Sequence, residues 1–258
     1  MVSTRSHPSS FPEPTASPTK RSVTPSDNGA LLAPTTPGRT RRAASSRGTT
    51  GGWSHTPSNL ALIWLAVSLP LVVWDTGYVL LRPYSMPGGS LHWPVWSLYE
   101  TYGKVDHVYG FKAWNEGLGF TAAQGTLNAI ETLLYFVYLY IVYSYGVQEK
   151  TEGRGAPNPS KAGFLGMART VRGKAAGVAA LLGFGTSLMT CSKTILYWLN
   201  EAFSGFSGVG HNDTFTLVFL WIIPNGPWII IPGYLMYVMG AEILEGLSIA
   251  AGDSKKSQ

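Results

Sequence analysis

The sequence predicts an all-α membrane protein, in which a bundle of four transmembrane helices follows a disordered N-terminal tail. The prediction rests first on four apolar stretches, because about 18 or more apolar residues can cross a bilayer as a helix. These stretches cover residues 58–81, 119–145, 176–200 and 214–246. Only 13% of the 258 residues are charged, whereas soluble domains have about 25%. Nine Trp and 13 Tyr residues suit aromatic belts at two membrane surfaces.

Composition divides the chain into three parts. Residues 1–56 are rich in Pro, Ser, Thr, Gly and Arg, so they bury too little apolar surface to offset ordering and are predicted to be disordered. Residues 57–248 form the membrane domain, and residues 249–258 form a polar tail. The basic N-terminal tail lacks interleaved aromatic residues and any fold signal. We therefore expect it to lie beside an anionic membrane surface and expect no nucleic acid partner.

The first two predicted helices are joined by a long connection. The first helix reads SNLALIWLAVSLPLVVWDTGYVLL, and Pro70 is predicted to kink it. Residues 82–118 are predicted to form a loop, rich in Pro, Gly and aromatic residues, that packs on the rim of the bundle. The second helix reads FTAAQGTLNAIETLLYFVYLYIVYSYG.

The second half of the domain contains the other two helices. A basic loop leads to the third helix, AGVAALLGFGTSLMTCSKTILYWLN, and a short loop leads to the fourth. The fourth helix contains Pro224, Pro227 and Pro232, so we expect interrupted backbone hydrogen bonds that are satisfied inside the bundle. Lys and Arg concentrate in the N-terminal tail and the second loop, which predicts that these segments and both termini are cytosolic.

Each predicted helix carries a strongly polar residue in its interior. These residues are Asp75, Glu131, Lys193 and Asn225. A charged side chain in a bilayer costs at least a few kcal/mol, so such residues are expected to face the bundle interior. At about 1.5 Å per residue, all four lie in the half of the bilayer away from the cytosol. We therefore predict one shared cavity.

Helical periodicity adds neighbours to this set. Tyr78 shares a face with Asp75, Asn128 and Tyr135 with Glu131, and Tyr197 with Lys193, while Trp228 lies one turn from Asn225. Two buried carboxyl groups are hard to explain by packing, which favours a functional role for both. Interhelical hydrogen bonding is the preferred interpretation for Asn128. For Lys193, a salt bridge to Asp75, snorkelling to the interface and contact with a substrate all remain open.

Metal chemistry is not expected from this sequence. The chain has one cysteine, Cys191, and its five histidines show no paired spacing, so neither a disulfide nor a metal site is predicted.

The order and spacing of several short segments resemble the emopamil-binding protein family, whose EXPERA domain is a four-helix membrane bundle. The resemblance spans roughly residues 58–246. The segments are V-V-W-D-T-G-Y with Asp75, Y-G-K-V-D-H-V-Y with Asp106 and Tyr109, I-E-T with Glu131, L-Y-W-L-N-E-A-F-S-G-F-S-G-V-G-H with Glu201 and His211, and P-N-G-P-W-I-I-I-P-G with Asn225 and Trp228.

This resemblance implies a sterol or terpenoid double-bond isomerase of the endoplasmic reticulum membrane that uses no cofactor. A neutral carboxylic acid protonates the alkene, a Trp ring faces the carbocation, and a base removes a neighbouring proton. The implied catalytic residues are Asp75, Glu131, Asn225 and Trp228. The implied substrate-binding residues are Asp106, Tyr78, Asn128, Tyr135, Lys193 and Tyr197. Asp75 and Glu131 are expected to share proton delivery and removal, and Asn225 is expected to orient a carboxyl group.

Three departures from the isomerase pattern keep two alternatives open. Leu71 stands where the isomerases have a His, the first acid is Asp75 rather than Glu, and the extra N-terminal helix is missing. The alternatives are a non-catalytic sterol or lipid receptor of the sigma-two type and a membrane terpenoid cyclase. The expected partners are a sterol or terpenoid small molecule and the lipid bilayer, with a homodimer left open.

Overall fold

The structure is a computed structural model that describes residues 53–148 and 169–251. Within these ranges, four helices are long and apolar enough to cross a membrane, as the sequence predicts. They are α1 (Asn59–Leu80), α4 (Phe120–Tyr145), α5 (Gly173–Phe203) and a fourth span over Thr214–Ala250. The predicted all-α membrane fold is therefore confirmed.

Helix α1 has nearly the bounds that the sequence predicts. Ser58 caps it, because its side-chain oxygen accepts a hydrogen bond from the Ala61 backbone N–H at 3.2 Å. The helix continues through Pro70 to Leu80. It packs closely on α4, where a Cβ on Gly125 would lie 2.7 Å from Cγ1 of Val79.

The connection over residues 82–118 is more ordered than the predicted loop. It contains two short helices, α2 (Leu98–Val105) and α3 (Phe111–Asn115). Tyr99 of α2 stacks on Tyr78 of α1, with ring centroids 3.7 Å apart and planes within 3°. Helices of eight and five residues leave little periodic signal in a sequence, so their docking depends on such tertiary contacts.

The fourth span is interrupted near its prolines. Asp213 caps α6 (Thr214–Leu217), and a π-helical turn over Val218–Ile222 leads into α7 (Ile223–Asn225) and α8 (Pro227–Ala250). Proline has no backbone N–H, so the regular ladder cannot continue unchanged through this region. Within the same region, the Asn225 side chain donates to the Trp221 carbonyl at 2.8 Å.

A small antiparallel sheet lies at the end of the bundle where α4 stops and α5 starts. Its strands are β1 (Ser54–His55), β3 (Arg169–Arg172) and β2 (Val147–Gln148), in that spatial order. His55 of β1 is 1% exposed, and its ring contacts the Glu242 carboxylate at 2.8 Å and the Tyr138 hydroxyl at 3.0 Å. These partners hold the start of the described chain against the bundle.

This sheet changes the predicted domain boundary. The predicted disordered tail covers residues 1–56, but residues 53–56 belong to the fold, and Thr56 bonds to Thr170 at 2.9 Å. The partners of this segment lie more than 80 positions away in the sequence, so local composition does not reveal them. Residues 1–52, most of the basic loop and residues 252–258 of the predicted C-terminal tail lie outside the described residues.

Candidate functional site

A cavity of about 560 Å³ lies among the four spans and α2. This volume falls within the range of about 300–1,000 Å³ that is typical of small-molecule sites. Most of its wall is apolar, and two of its lining residues, Leu71 and Leu220, are about half exposed. The cavity is therefore bordered by apolar side chains that are not fully enclosed by the bundle.

Asp75 lies on the cavity wall, held by donors from two other helices. Its Oδ1 accepts a hydrogen bond from the Tyr99 hydroxyl at 2.6 Å, and its Oδ2 accepts one from the Asn128 side-chain amide at 3.0 Å. Tyr99 is 5% exposed and is fixed by its stack on Tyr78. Burial, followed by the charge of Asp75, raises the pKa of Tyr99 far above its ordinary value. Tyr99 therefore remains a hydroxyl donor to this carboxyl group.

Glu131 forms a buried ion pair with Lys193. The Lys193 ammonium donates to Glu131 Oε2 at 2.8 Å, and the Thr190 hydroxyl donates to the same oxygen at 3.0 Å. Lys193 also donates to the side-chain oxygen of Asn128. Of the roles that the sequence leaves open for Lys193, the structure supports an ion pair, but its partner is Glu131 rather than Asp75.

Asn128 connects the two carboxyl groups. Its amide nitrogen donates to Asp75, while its amide oxygen accepts from Lys193, which in turn binds Glu131. The two partners fix the orientation of the amide, because only its nitrogen donates and only its oxygen accepts. The sequence-based interpretation of Asn128 as an interhelical hydrogen-bonding residue agrees with this geometry.

Two polar atoms in the cavity wall have no hydrogen-bond partner. Glu131 Oε1 and Thr132 Oγ1 are both buried and unpaired within the described part of the chain, and both residues line the cavity. Glu131 is 4% exposed and Thr132 is 8% exposed. Buried polar groups in proteins nearly always have a partner, so these two atoms indicate a place where a ligand group can bind.

The fourth span contributes Asn225 and Trp228 to the same cavity. Trp228 packs edge to face on Trp64, with ring centroids 4.9 Å apart. The expected carboxyl partner of Asn225 is absent from its described contacts. Its amide donates instead to the Trp221 carbonyl and, at 3.4 Å, to the Tyr102 hydroxyl. Both of these partners belong to protein groups near the interrupted part of the fourth span.

Most of the predicted substrate-binding residues reach the cavity, but two do not. Asn128, Tyr135, Lys193 and Tyr197 line it. Tyr78 and Asp106 are 0% exposed and lie in a second layer behind the wall. The Tyr78 hydroxyl donates to the Tyr109 carbonyl at 2.8 Å, so both its ring and its hydroxyl are engaged by protein.

Asp106 joins three segments of the chain rather than facing a ligand. It accepts hydrogen bonds from the Val108 backbone and the Trp221 indole, each at 3.1 Å, and from the Tyr197 hydroxyl. Burial raises the pKa of Asp106 to about 7; the hydrogen bond from the Val108 backbone opposes this rise, and the charge of Glu201 adds to it. The expected substrate-binding roles of Tyr78 and Asp106 are therefore replaced by structural ones.

Tyr109 belongs to one of the segments that carry the family resemblance, but the sequence predicts no role for the aromatic group that α2 and its flanking turn bring to the cavity. Tyr99, Tyr102 and Tyr109 all line it, and Tyr99 contacts Asp75 directly. Tyr99 and Tyr102 are three residues apart, which is the spacing of one helix face. That spacing within LYETYGKV was the available signal, but it is short and lies outside the apolar spans.

No group of three or more His, Cys, Asp or Glu side chains within residues 53–148 and 169–251 is arranged to hold a metal ion.

The fold and the site together define a four-helix membrane protein with a cavity that contains two carboxyl groups. The chain matches no model of a known protein family, and no curated protein matches it significantly. The resemblance to the emopamil-binding protein family therefore stays a prediction.

Proposed function

We propose that the chain is a membrane enzyme that moves a carbon–carbon double bond within a sterol or related terpenoid by acid–base chemistry. The observation that carries the proposal is the Asp75 carboxyl, oriented by Tyr99 and Asn128 at the wall of a mainly apolar cavity. A hydrocarbon skeleton fits such a wall, and a carboxyl group can exchange a proton with it.

The proposed reaction transfers one proton in and one proton out. Protonated Asp75 gives its proton to one alkene carbon, whose π electrons form the new C–H bond and leave a cation on the next carbon. The face of Trp228 stabilises that cation. The Asp75 carboxylate then removes a proton from a neighbouring carbon, and the released electron pair forms the shifted double bond. Tyr99 and Asn128 donate to the carboxylate as its negative charge develops.

The ion pair assigns different parts to the two carboxyl groups. A carboxylate held by Lys193 is an acceptor and not a proton donor, so Asp75 is the proposed proton carrier. Equal sharing of proton transfer with Glu131, as expected from the sequence, is less compatible with this geometry. Leu71, at the position of the family His, lines the cavity without offering a proton, and Tyr99 is the group that bonds to the acid.

A non-catalytic sterol or lipid receptor is the second candidate. Two observations favour it: Lys193 neutralises one of the two carboxyl groups, and Leu71 replaces a proton-exchanging residue. In this case Asp75 and Trp228 would hold a ligand without reaction. No contact in the described residues specifically favours a terpenoid cyclase.

The proposed location is the endoplasmic reticulum membrane, with both termini in the cytosol. The basic N-terminal tail and basic second loop support that orientation. A homodimer remains a prediction from the sequence.

The test is a sterol profile of cells that lack their own double-bond isomerase. We expect the chain to restore the shifted sterol and Asp75→Asn to lower its formation at least about 100-fold, because an amide cannot deliver the proton. Glu100→Gln is the matched control, since Glu100 is an exposed acid on α2 beside Tyr99. Absence of the shifted sterol with wild-type protein, alongside retained sterol binding, would establish the receptor instead.

A further inference from the structure

The unpaired oxygen of Glu131 lies at one end of a chain of hydrogen bonds that begins at Asp75. Oε2 of Glu131 is occupied by Lys193 and Thr190, whereas Oε1 is buried without a partner. An acceptor that is left unpaired in a buried site is costly, and a carboxylate oxygen is a strong acceptor. Glu131 therefore lines the cavity and carries one buried carboxylate oxygen that lacks a donor.

We propose that Glu131 and Thr132 form a subsite that binds a hydroxyl group of the ligand. The ligand hydroxyl donates to Glu131 Oε1, and the unpaired hydroxyl of Thr132, the next residue along the helix, offers a second polar contact. The inference rests on the proposed function and deepens it: the substrate is an alcohol whose double bond lies near Asp75 while its hydroxyl lies at Glu131.

Charge balance favours a neutral hydroxyl over a cationic amine at this position. Glu131 and Lys193 already neutralise each other, with side chains 5% and 11% exposed. An ammonium ion placed there would add an uncompensated positive charge beside Lys193, which is unfavourable in a low-dielectric site. A hydroxyl gains a charge-assisted hydrogen bond and brings no net charge.

The connection through Asn128 separates the subsite from the reacting carboxyl. One side-chain amide and one ammonium group stand between Asp75 and Glu131. A ligand that reaches both Glu131 and Asp75 must therefore carry a polar group at Glu131 and a hydrocarbon skeleton at Asp75. An amphiphilic terpenoid alcohol has this combination of groups.

The experiment compares alcohols with their methyl ethers by equilibrium binding to the full chain in detergent. The probes are a tritiated monohydroxy sterol with a ring double bond and a tritiated linear C20 terpene alcohol, each paired with its tritiated methyl ether and primary amine. We expect at least one alcohol to bind about 10- to 100-fold more tightly than its ether, since the ether cannot donate. The amine should bind no more tightly than the alcohol.

The variants remove the subsite without leaving a lone buried charge. In the double variant Glu131→Leu/Lys193→Met, we expect the alcohol-to-ether ratio to fall to within about threefold, because the acceptor is gone. Thr132→Val should weaken alcohol binding by less than the double variant does. Thr126→Val is the matched control on the same helix, because Thr126 is exposed and bonds to its own helix at the Ala122 carbonyl. Thermal unfolding of each variant shows whether it is folded.

The outcomes separate this inference from the proposed function. Equal binding of alcohol and ether, a tighter amine, or a ratio unchanged in the folded double variant would overturn the hydroxyl subsite and leave the isomerase proposal standing. Failure of every probe to bind would overturn both. A selective alcohol together with no double-bond shift in cells would keep the subsite as part of a receptor.

Discussion

Replacing Lys193 by Met should destabilise the bundle more than any exposed lysine change. The substitution leaves the Glu131 carboxylate buried, with the Thr190 hydroxyl as the donor that the structure still supplies to it. Breaking a buried ion pair by removing one partner costs about 3–5 kcal/mol. A stability change of 1 kcal/mol shifts the unfolding temperature by about 2–4 °C in a protein of this size. We therefore expect a fall of about 6–20 °C in Tm.

The single cysteine supplies the assay. Cys191 is buried and free, and it is the only cysteine of the chain, so a thiol-reactive dye reports the opening of the bundle during a thermal ramp in detergent. The matched control is Lys104→Met. Its pair with Glu100 is exposed, at 3.5 Å with side chains 74% and 58% exposed, and such surface pairs contribute about 0–1 kcal/mol.

The double variant Lys193→Met/Glu131→Leu tests the cause of the lower Tm. Removing both partners of a buried ion pair is often neutral or stabilising, so we expect the Tm of the double variant to lie close to that of the wild type. Unfolding of Lys193→Met at the same temperature as Lys104→Met would contradict a stabilising role for the buried ion pair. A double variant less stable than Lys193→Met alone would contradict the unpaired Glu131 carboxylate as the cause of the instability.

Two further predictions concern packing and pH. Gly125→Ala should lower Tm, because the new Cβ would meet Val79 at 2.7 Å and overpacking costs about 1–3 kcal/mol. Gly185→Ala is the control: the space there is open, so alanine should raise Tm by stabilising the helix by about 0.5–1 kcal/mol. Equal changes in Tm for the two variants would contradict the close packing at Gly125. The raised pKa of Asp106 means that the folded state binds more protons than the unfolded state between pH 3.8 and about 7. The stability that Asp106 contributes is therefore present below pH 3.8 and is lost as the pH rises to about 7. Asp106→Asn should then reduce the fall in Tm across that pH range. An unchanged dependence of Tm on pH in this variant would exclude Asp106 as the cause of the fall.

The four spans and their convergence could be predicted because hydrophobic length and helical rise are local properties of the sequence. Counting 1.5 Å per residue places Asp75, Glu131, Lys193 and Asn225 at similar depths, and all four line one cavity. Depth says nothing about rotation about the helix axis or about side-chain reach. For that reason the sequence offered an ion pair with Asp75 as one of several roles for Lys193, whereas the partner in the structure is Glu131.

The positions of Tyr78 and Asp106 behind the cavity wall could not be predicted for a different reason. Tyr78 and Asp106 belong to the same short segments as the cavity residues, so motif and periodicity group them with the ligand site. Their burial depends on partners from other segments, namely Tyr99 for the one and Trp221 and Tyr197 for the other. A sequence segment gives the residues that can reach a site, whereas packing between segments decides which of them face it.

One hydrogen-bond donor to Asp75 comes from outside the membrane spans. Tyr99 lies on α2, in the segment predicted to be a connecting loop, and it supplies the shortest hydrogen bond that Asp75 accepts, at 2.6 Å. The stack on Tyr78 fixes that hydroxyl, and Asp106 ties the end of α2 to α5 and to the fourth span. A change in this connection would therefore reposition the donor to Asp75 while leaving the four spans intact. It follows that the hydrogen bonding of Asp75 depends on α2 as well as on the helices that enclose the cavity.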